Sequence, residues 1–443
     1  MKTKTIFREK SGNPNRAYRQ DRFIISSCMA LAGGNYQKGV SDLRECIRNA
    51  KEIGCNLAEF IWADSEDTKK CADACEEFGI DGIFQDWDVF GGFQDQQKTD
   101  EPDPEKLERF IEWSRNYRHF YGYYVWDEPL ADRSVDAAAR QLDMIERLAP
   151  DRLPFVVAIP SYNATDTWEN GKFERYLTRF AKVVDPPVLS LDYYPFSAMR
   201  PDPFRQLDDK NLFLDIALLR KLALESHAPM WFYVQAEDSP INANYYRFAP
   251  EKLTMQAFNV LLHGGKAVQY YCTVESASYW DGRPGPLFFQ MKELNRRIRQ
   301  WGKTLMALTS EGVYHSGEVL ADCPAFEAYR EPVSQSKVLA DQTLPFRCSV
   351  GELSDSEGNR YLFVLNRDYR NARDFTLRFK KPSRVYKVSD QTGEQSVLRN
   401  RSEAVRLSLS PGDAVLLRVQ DAAEEAFFID YALAPEQGIR RNA

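Results

Sequence analysis

The sequence predicts a (β/α)8 barrel followed by a small antiparallel β-sandwich. Three observations lead there. Apolar and aromatic runs alternate eight times with segments of helical periodicity before about residue 310. Those runs are continuously apolar more than strictly alternating, as expected of strands buried on both faces of a parallel sheet. Beyond residue 311 the texture changes to short strands punctuated by the turn sequences DSEGN, DQTGE and SPGD.

Taken in order, the barrel strands are FIISSC (23–28), NLAEFIW (56–62), IDGIFQD (80–86) and YGYYVWD (121–127). PFVVAIP (154–160), PVLSLDYY (187–194), MWFYVQA (230–236) and KAVQYYC (266–272) complete the set. Helical periodicity falls between them at 41–53, 66–77, 104–116, 134–149, 171–182, 210–225, 250–263 and 287–307. The clearest case places Val135, Ala138, Leu142, Ile145 and Ala149 on one helix face. Ser134 suits its N-cap and Pro150 its stop, while Pro104 suits the first turn of another helix. A doubly wound open sheet would carry a Gly-rich turn after the first strand, and none follows FIISSC. Eight strand–helix units are the pattern of a closed barrel.

The sandwich strands are GVYHSGEVL, FRCSVGELS, RYLFVLNRD, ARDFTLRFK, RVYKVSD and AVLLRVQ. The chain therefore divides into an extension (1–20), the barrel (21–310), the sandwich (311–420) and a tail (421–443).

Bulk properties narrow the chemistry. A net charge of −7 argues against nucleic acid as the main partner, because phosphate binding needs a basic face. No stretch approaches the roughly 20 apolar residues that span a bilayer. The segment MKTKTIFREKSGNPNR has no apolar run behind its basic residues. With eight scattered cysteines and no CxxC pair, this points to reduced thiols in a cytoplasmic protein; a secreted chain with its signal removed is the alternative. The four histidines are too widely spread for a zinc motif, so neither a metal nor another cofactor is expected. Oligomeric state is not legible.

In such a barrel the active site lies at the C-terminal strand ends. Those ends carry Glu59 and Trp62, then Gln85, Asp86 and Trp87, then Trp126, Asp127 and Glu128. Asn163, Asp192, Tyr193, Gln235, Glu237, Glu275, Trp280 and Asp281 follow on the later strands. Carboxylates, amides and large aromatics converge, with no dominant histidine or cysteine. Glycoside hydrolysis needs that mixture. One carboxylic acid protonates the poor leaving oxygen, a second carboxylate attacks or activates water, and aromatics and amides hold the sugar. The bland readings are that Glu128 caps the next helix, Glu237 is a loop charge, and each tryptophan is packing. The apolar strand behind Glu128 and the four tryptophans at one rim weigh against them.

WDEP at the end of the fourth strand resembles the Asn-Glu-Pro of a clan of (β/α)8 retaining glycosidases that includes the family 42 β-galactosidases. LSLDYYPF, PMWFYVQAED and SPGDAVLLRV are similar to segments of hydrolases of this class. The resemblance implies Glu128 as acid/base and Glu237 as nucleophile, with Glu275, Asp192 or Asp281 as the alternative second carboxylate. The strand-end reading gives Asp127, Trp126, Glu59, Asp86, Trp87, Asn163, Tyr193, Gln235 and Trp280 as substrate contacts. Asp127 stands where the clan has Asn, adding a charge beside Glu128 that raises a carboxyl pKa. The expected function is cleavage of an O-glycosidic bond in a carbohydrate substrate. A barrel of the same scaffold that binds carbohydrate without turnover is the rival expectation.

Overall fold

Eight parallel strands close on themselves in the computed structural model, in the order β1 to β8. The structure describes residues 16–31, 42–91, 102–162, 171–196, 210–236, 249–274, 276–279, 281–316 and 331–422. The first half runs β1 (Ile24–Ala30), α1 (Leu43–Glu52), β2 (Leu57–Ala63), α2 (Ser65–Phe78), β3 (Asp81–Asp86) and a one-turn α3 (Trp87–Phe90). It continues through α4 (Pro104–Ser114), β4 (Phe120–Asp127) and α5 (Asp132–Leu148). The second half runs β5 (Leu153–Ala158), α6 (Lys172–Val183), β6 (Leu189–Asp192), α7 (Lys210–Ser226) and β7 (Met230–Gln235). It ends with α8 (Pro250–Leu262), β8 (Ala267–Tyr271) and α9 (Phe288–Met306). β1 closes the barrel on β8 through Ile24 opposite Ala267.

The reason for closure is visible in the side chains. Ile24, Leu57, Ile83, Tyr124, Phe155 and Trp231 fill the interior, while Phe60, Phe84, Tyr123 and Val125 face the helices. Both faces of each strand are thus buried, as the continuous apolar runs require. Pro104 opens α4 after an Asp103 cap that accepts the Glu105 N–H at 3.0 Å. One cap differs from expectation. α5 begins at Asp132, so Ser134 is its third residue rather than its N-cap. Its Oγ accepts the Ala131 N–H at 2.9 Å and donates to the Ala131 carbonyl at 2.8 Å. Asp132 in the first turn suits the positive helix end, which lets the helix start earlier.

The remaining strands form an antiparallel sheet with the order β13-β12-β14-β11-β10-β9. They are β9 (Thr309–His315), β10 (Cys348–Ser354), β11 (Arg360–Asn366), β12 (Arg373–Val388), β13 (Gln395–Leu409) and β14 (Ala414–Asp421). The runs ARDFTLRFK and RVYKVSD join into the single strand β12, which shifts register between Arg378 and Ser383. The sequence pattern misses β13 because most of that edge strand is exposed, with Val405, Leu407 and Leu409 as its buried side chains.

Sheet and barrel dock through α8 and α9. Trp301 is buried, meets Phe363 edge-on, and its Nε1 donates to the Val388 carbonyl at 3.1 Å. Arg297 reaches Asp390 and Asp413 on the sheet, each at 2.7 Å. Gly351 in β10 lies so close to α8 that a Cβ there would stand 2.1 Å from the Leu262 carbonyl oxygen. No helix among the described residues is long and apolar enough to cross a membrane.

Candidate active site

β4 delivers its two carboxylates to the barrel mouth by an irregular exit. Its pairing with β5 shifts register between Tyr124 and Trp126, and Glu128 takes a left-handed backbone with φ 51°. That conformation costs a non-glycine residue about 1–3 kcal/mol, and such strain is usually retained where a side chain must be aimed. Trp62 at the end of β2 is held the same way, with φ 60°.

Asp192, the last residue of β6, meets the β4 pair there. Asp192 is 6% exposed, whereas Asp127 and Glu128 are half-buried. Glu128 and Asp192 share a hydrogen bond. Burial raises the Glu128 carboxyl well above its ordinary range, and the charges of Asp192 and Asp127 raise it further. Burial, then the Asp127 charge, push Asp192 up to about 7 against bonds with Glu128 and Tyr194. Burial pushes Asp127 up to about 6, against a hydrogen bond from Tyr124 and the nearby Trp62. The Tyr124 hydroxyl lies 3.0 Å from Asp127 Oδ1. Asp192 Oδ1 has no hydrogen-bond partner among the described residues. The arrangement therefore raises Glu128 well above its ordinary range, beside carboxylates pushed up to about 6 and about 7. Tyr194 and Tyr271 stack nearby at 4.7 Å, giving a broad aromatic face.

The structure treats the other expected contacts unequally. Glu59 is fully buried on the barrel axis, where Ser26, Tyr233 and Gln269 (2.9 Å) all donate to it. This is the satisfaction that a buried carboxylate requires. Asp86 caps α3, accepting the Asp88 N–H at 2.9 Å and the Ser65 hydroxyl at 3.0 Å. Trp87 is half-buried at the start of that turn. Trp126 packs into the helix-side core, because the register shift turns it away from the mouth. Tyr193 is buried in the same core, edge-on to Tyr162. Gln235 clamps the backbone of Phe196, its Oε1 accepting that N–H at 2.9 Å. Asp281 sits in an exposed turn with its carboxylate paired to Arg283 at 2.7 Å. Glu237, Glu275, Asn163 and Trp280 lie outside the described residues. Among the described residues no group of three or more His, Cys, Asp or Glu is arranged to hold a metal ion.

Tyr124 and Tyr233, which organise Asp127 and Glu59, are absent from the sequence-level candidates. Both belong to apolar strand runs, and only the inward alternation of each strand could have marked them.

No protein-family model matches the sequence, and no curated protein is similar to it. Solved structures are similar in fold. One is an Anoxybacillus α-amylase, with TM-score 0.51 and 11% identity, covering 90% of this chain and 98% of the other. Another is a GH27 β-L-arabinopyranosidase from Geobacillus stearothermophilus, with TM-score 0.50 and 10% identity, covering 90% of this chain and 97% of that one. The chain thus shares a fold with these structures, and its own form of it is a (β/α)8 barrel carrying an antiparallel β-domain.

Proposed function

We propose that the chain is a glycoside hydrolase that cleaves an O-glycosidic bond in a carbohydrate, with Glu128 as acid/base and Asp192 as nucleophile. The observation that carries this reading is the hydrogen bond between Glu128 and Asp192, with Asp127 beside it at the barrel mouth. Glu128 holds the proton that a leaving glycosidic oxygen needs. Asp192 supplies the charge that an oxocarbenium-like transition state needs, and its free Oδ1 is an unengaged lone-pair atom. Asp127, ionising first, keeps the proton on Glu128 by repulsion.

A hydrogen-bonded pair stands closer than either catalytic spacing, so in the retaining reading the pair parts to admit the anomeric carbon. Retaining pairs stand about 5–5.5 Å apart, and inverting pairs about 6.5–9.5 Å apart with a water between them. The proposed cleavage draws on carboxyl groups alone and calls for no cofactor.

A panel of 4-nitrophenyl glycosides and plant oligosaccharides tests the reading with wild type, E128Q, D192N and E237Q. Expected are turnover by wild type and losses on the order of 10²–10⁴-fold in E128Q and D192N, whereas such a loss in E237Q with D192N near normal would move the nucleophile to Glu237. NMR of the first-formed anomer should show retention. Wild-type rates in E128Q would sink the assignment. A wild type that binds sugars without turning over any of them would favour the non-catalytic barrel.

A further inference from the structure

Gln85 is fully buried and stands one residue before the end of β3. Ile83 packs in the barrel interior with Tyr124, and Phe84 packs on the helix side. Alternation along the strand therefore turns Gln85 inward, at the level where β3 opens into the mouth. Its Oε1 accepts the Trp62 backbone N–H at 3.0 Å, while its Nε2 has no partner among the described residues.

The orientation of this amide is set by its neighbour. Trp62 is held left-handed where the pairing of β2 with β3 shifts register between Phe60 and Ala63, and its N–H needs an acceptor. Turning the amide over would place two donors face to face, so the oxygen belongs at Trp62 and the NH2 points elsewhere. The same Trp62 lies beside Asp127 and lowers its carboxyl. Trp62 thus stands between an unpaired amide donor and a carboxylate of the mouth. Buried polar groups are nearly always paired, and a donor left open in a site marks where a ligand oxygen fits.

We propose that Gln85 is a specificity-determining residue whose amide NH2 donates to one ring hydroxyl of the sugar bound before Glu128 and Asp192. A hydroxyl both accepts and donates, so this one, or its neighbour on the ring, completes the bridge by donating to Asp127. This deepens the glycosidase reading and rests on it. A site built to bond a hydroxyl rejects the analogue that lacks it far more strongly than an apolar pocket rejects a size change.

The test takes the best substrate of the 4-nitrophenyl glycoside panel and its monodeoxy analogues. kcat/KM is measured for wild type, Q85E and Q85M, and Trp fluorescence follows binding of the parent monosaccharide and its deoxy forms. Q85E keeps the acceptor for Trp62 and loses the donors, whereas Q85M loses both. The expected result is that wild type disfavours one deoxy position by at least about 100-fold. Both variants should then reduce that preference to less than about tenfold, leaving the other positions unaffected. Several results overturn the role of Gln85 alone. In one, wild type has no preferred position. In another, both variants keep the preference, as they would if the amide holds only a buried water. Loss in Q85M alone would mean that the effect comes through Trp62, and loss in Q85E alone that it comes from the added charge. A wild type that neither binds nor hydrolyses any sugar overturns the glycosidase reading as well.

Discussion

Glu128 and Asp192 share a hydrogen bond across the barrel mouth, one delivered by β4 and the other by β6. Two carboxyls can bond only with a proton between them, and burial and mutual charge raise both above the ordinary carboxylate range. If Glu128 is the acid, activity falls on the alkaline side as its proton is lost. Asp192 is the charge that raises Glu128 most, ahead of Asp127. Residual activity of D192N should therefore have its alkaline limb moved to lower pH, and D127N should move it the same way by less. Rate profiles between about pH 4 and 9 check this. An unmoved limb in both variants would separate Glu128 from the titration.

The same cluster should cost stability. Asp192 is raised in the folded chain, from an ordinary 3.8 to about 7. The folded state then binds more protons than the unfolded one, and stability falls as pH rises through that interval. Removing the charge should recover part of the loss. D192N is expected to raise unfolding free energy by about 2–4 kcal/mol at pH 8 and by almost nothing below about pH 4. Urea titrations at the two pH values measure the difference.

Strain at Glu128 is separable from its charge. E128G and E128A both remove the carboxyl, but only glycine adopts a φ of 51° without steric cost. E128G should be more stable than E128A by about 1 kcal/mol. Equal urea midpoints would mean that the backbone relaxes and stores no strain.

The docking of sheet on barrel has a tight point at Gly351. A Cβ there would stand 2.1 Å from the Leu262 carbonyl oxygen, so G351A must push β10 away from α8. The expected cost is about 1–3 kcal/mol, read as a fall in thermal midpoint. G358A, with nothing within 4 Å of its added Cβ but a left-handed φ of 84°, reports backbone strain without a clash.

Much of this molecule was legible before folding. FIISSC, YGYYVWD and MWFYVQA became β1, β4 and β7, and the face of Val135, Ala138, Leu142 and Ile145 became buried. Pattern reads such elements because burial on both faces demands continuous apolar runs in strands, and burial on one face demands helical spacing. The misses share a physical cause. β13 is an exposed edge and has little apolar signal. Trp126 looked like a rim residue until a register shift turned it toward the helices.

By itself the sequence determined the eight-unit barrel, the β-domain and the position of Glu128 at a strand end, because these follow from local periodicity and chain order. Only the tertiary structure distinguished the surroundings of the described carboxylates. It brought Asp192 against Glu128, paired Asp281 with Arg283 in an exposed turn, and gave Glu59 three donors on the axis. Which strand ends meet depends on how the barrel closes and where its strands slip. A pair separated by a strand–helix unit leaves no trace of that meeting in either neighbourhood of the chain.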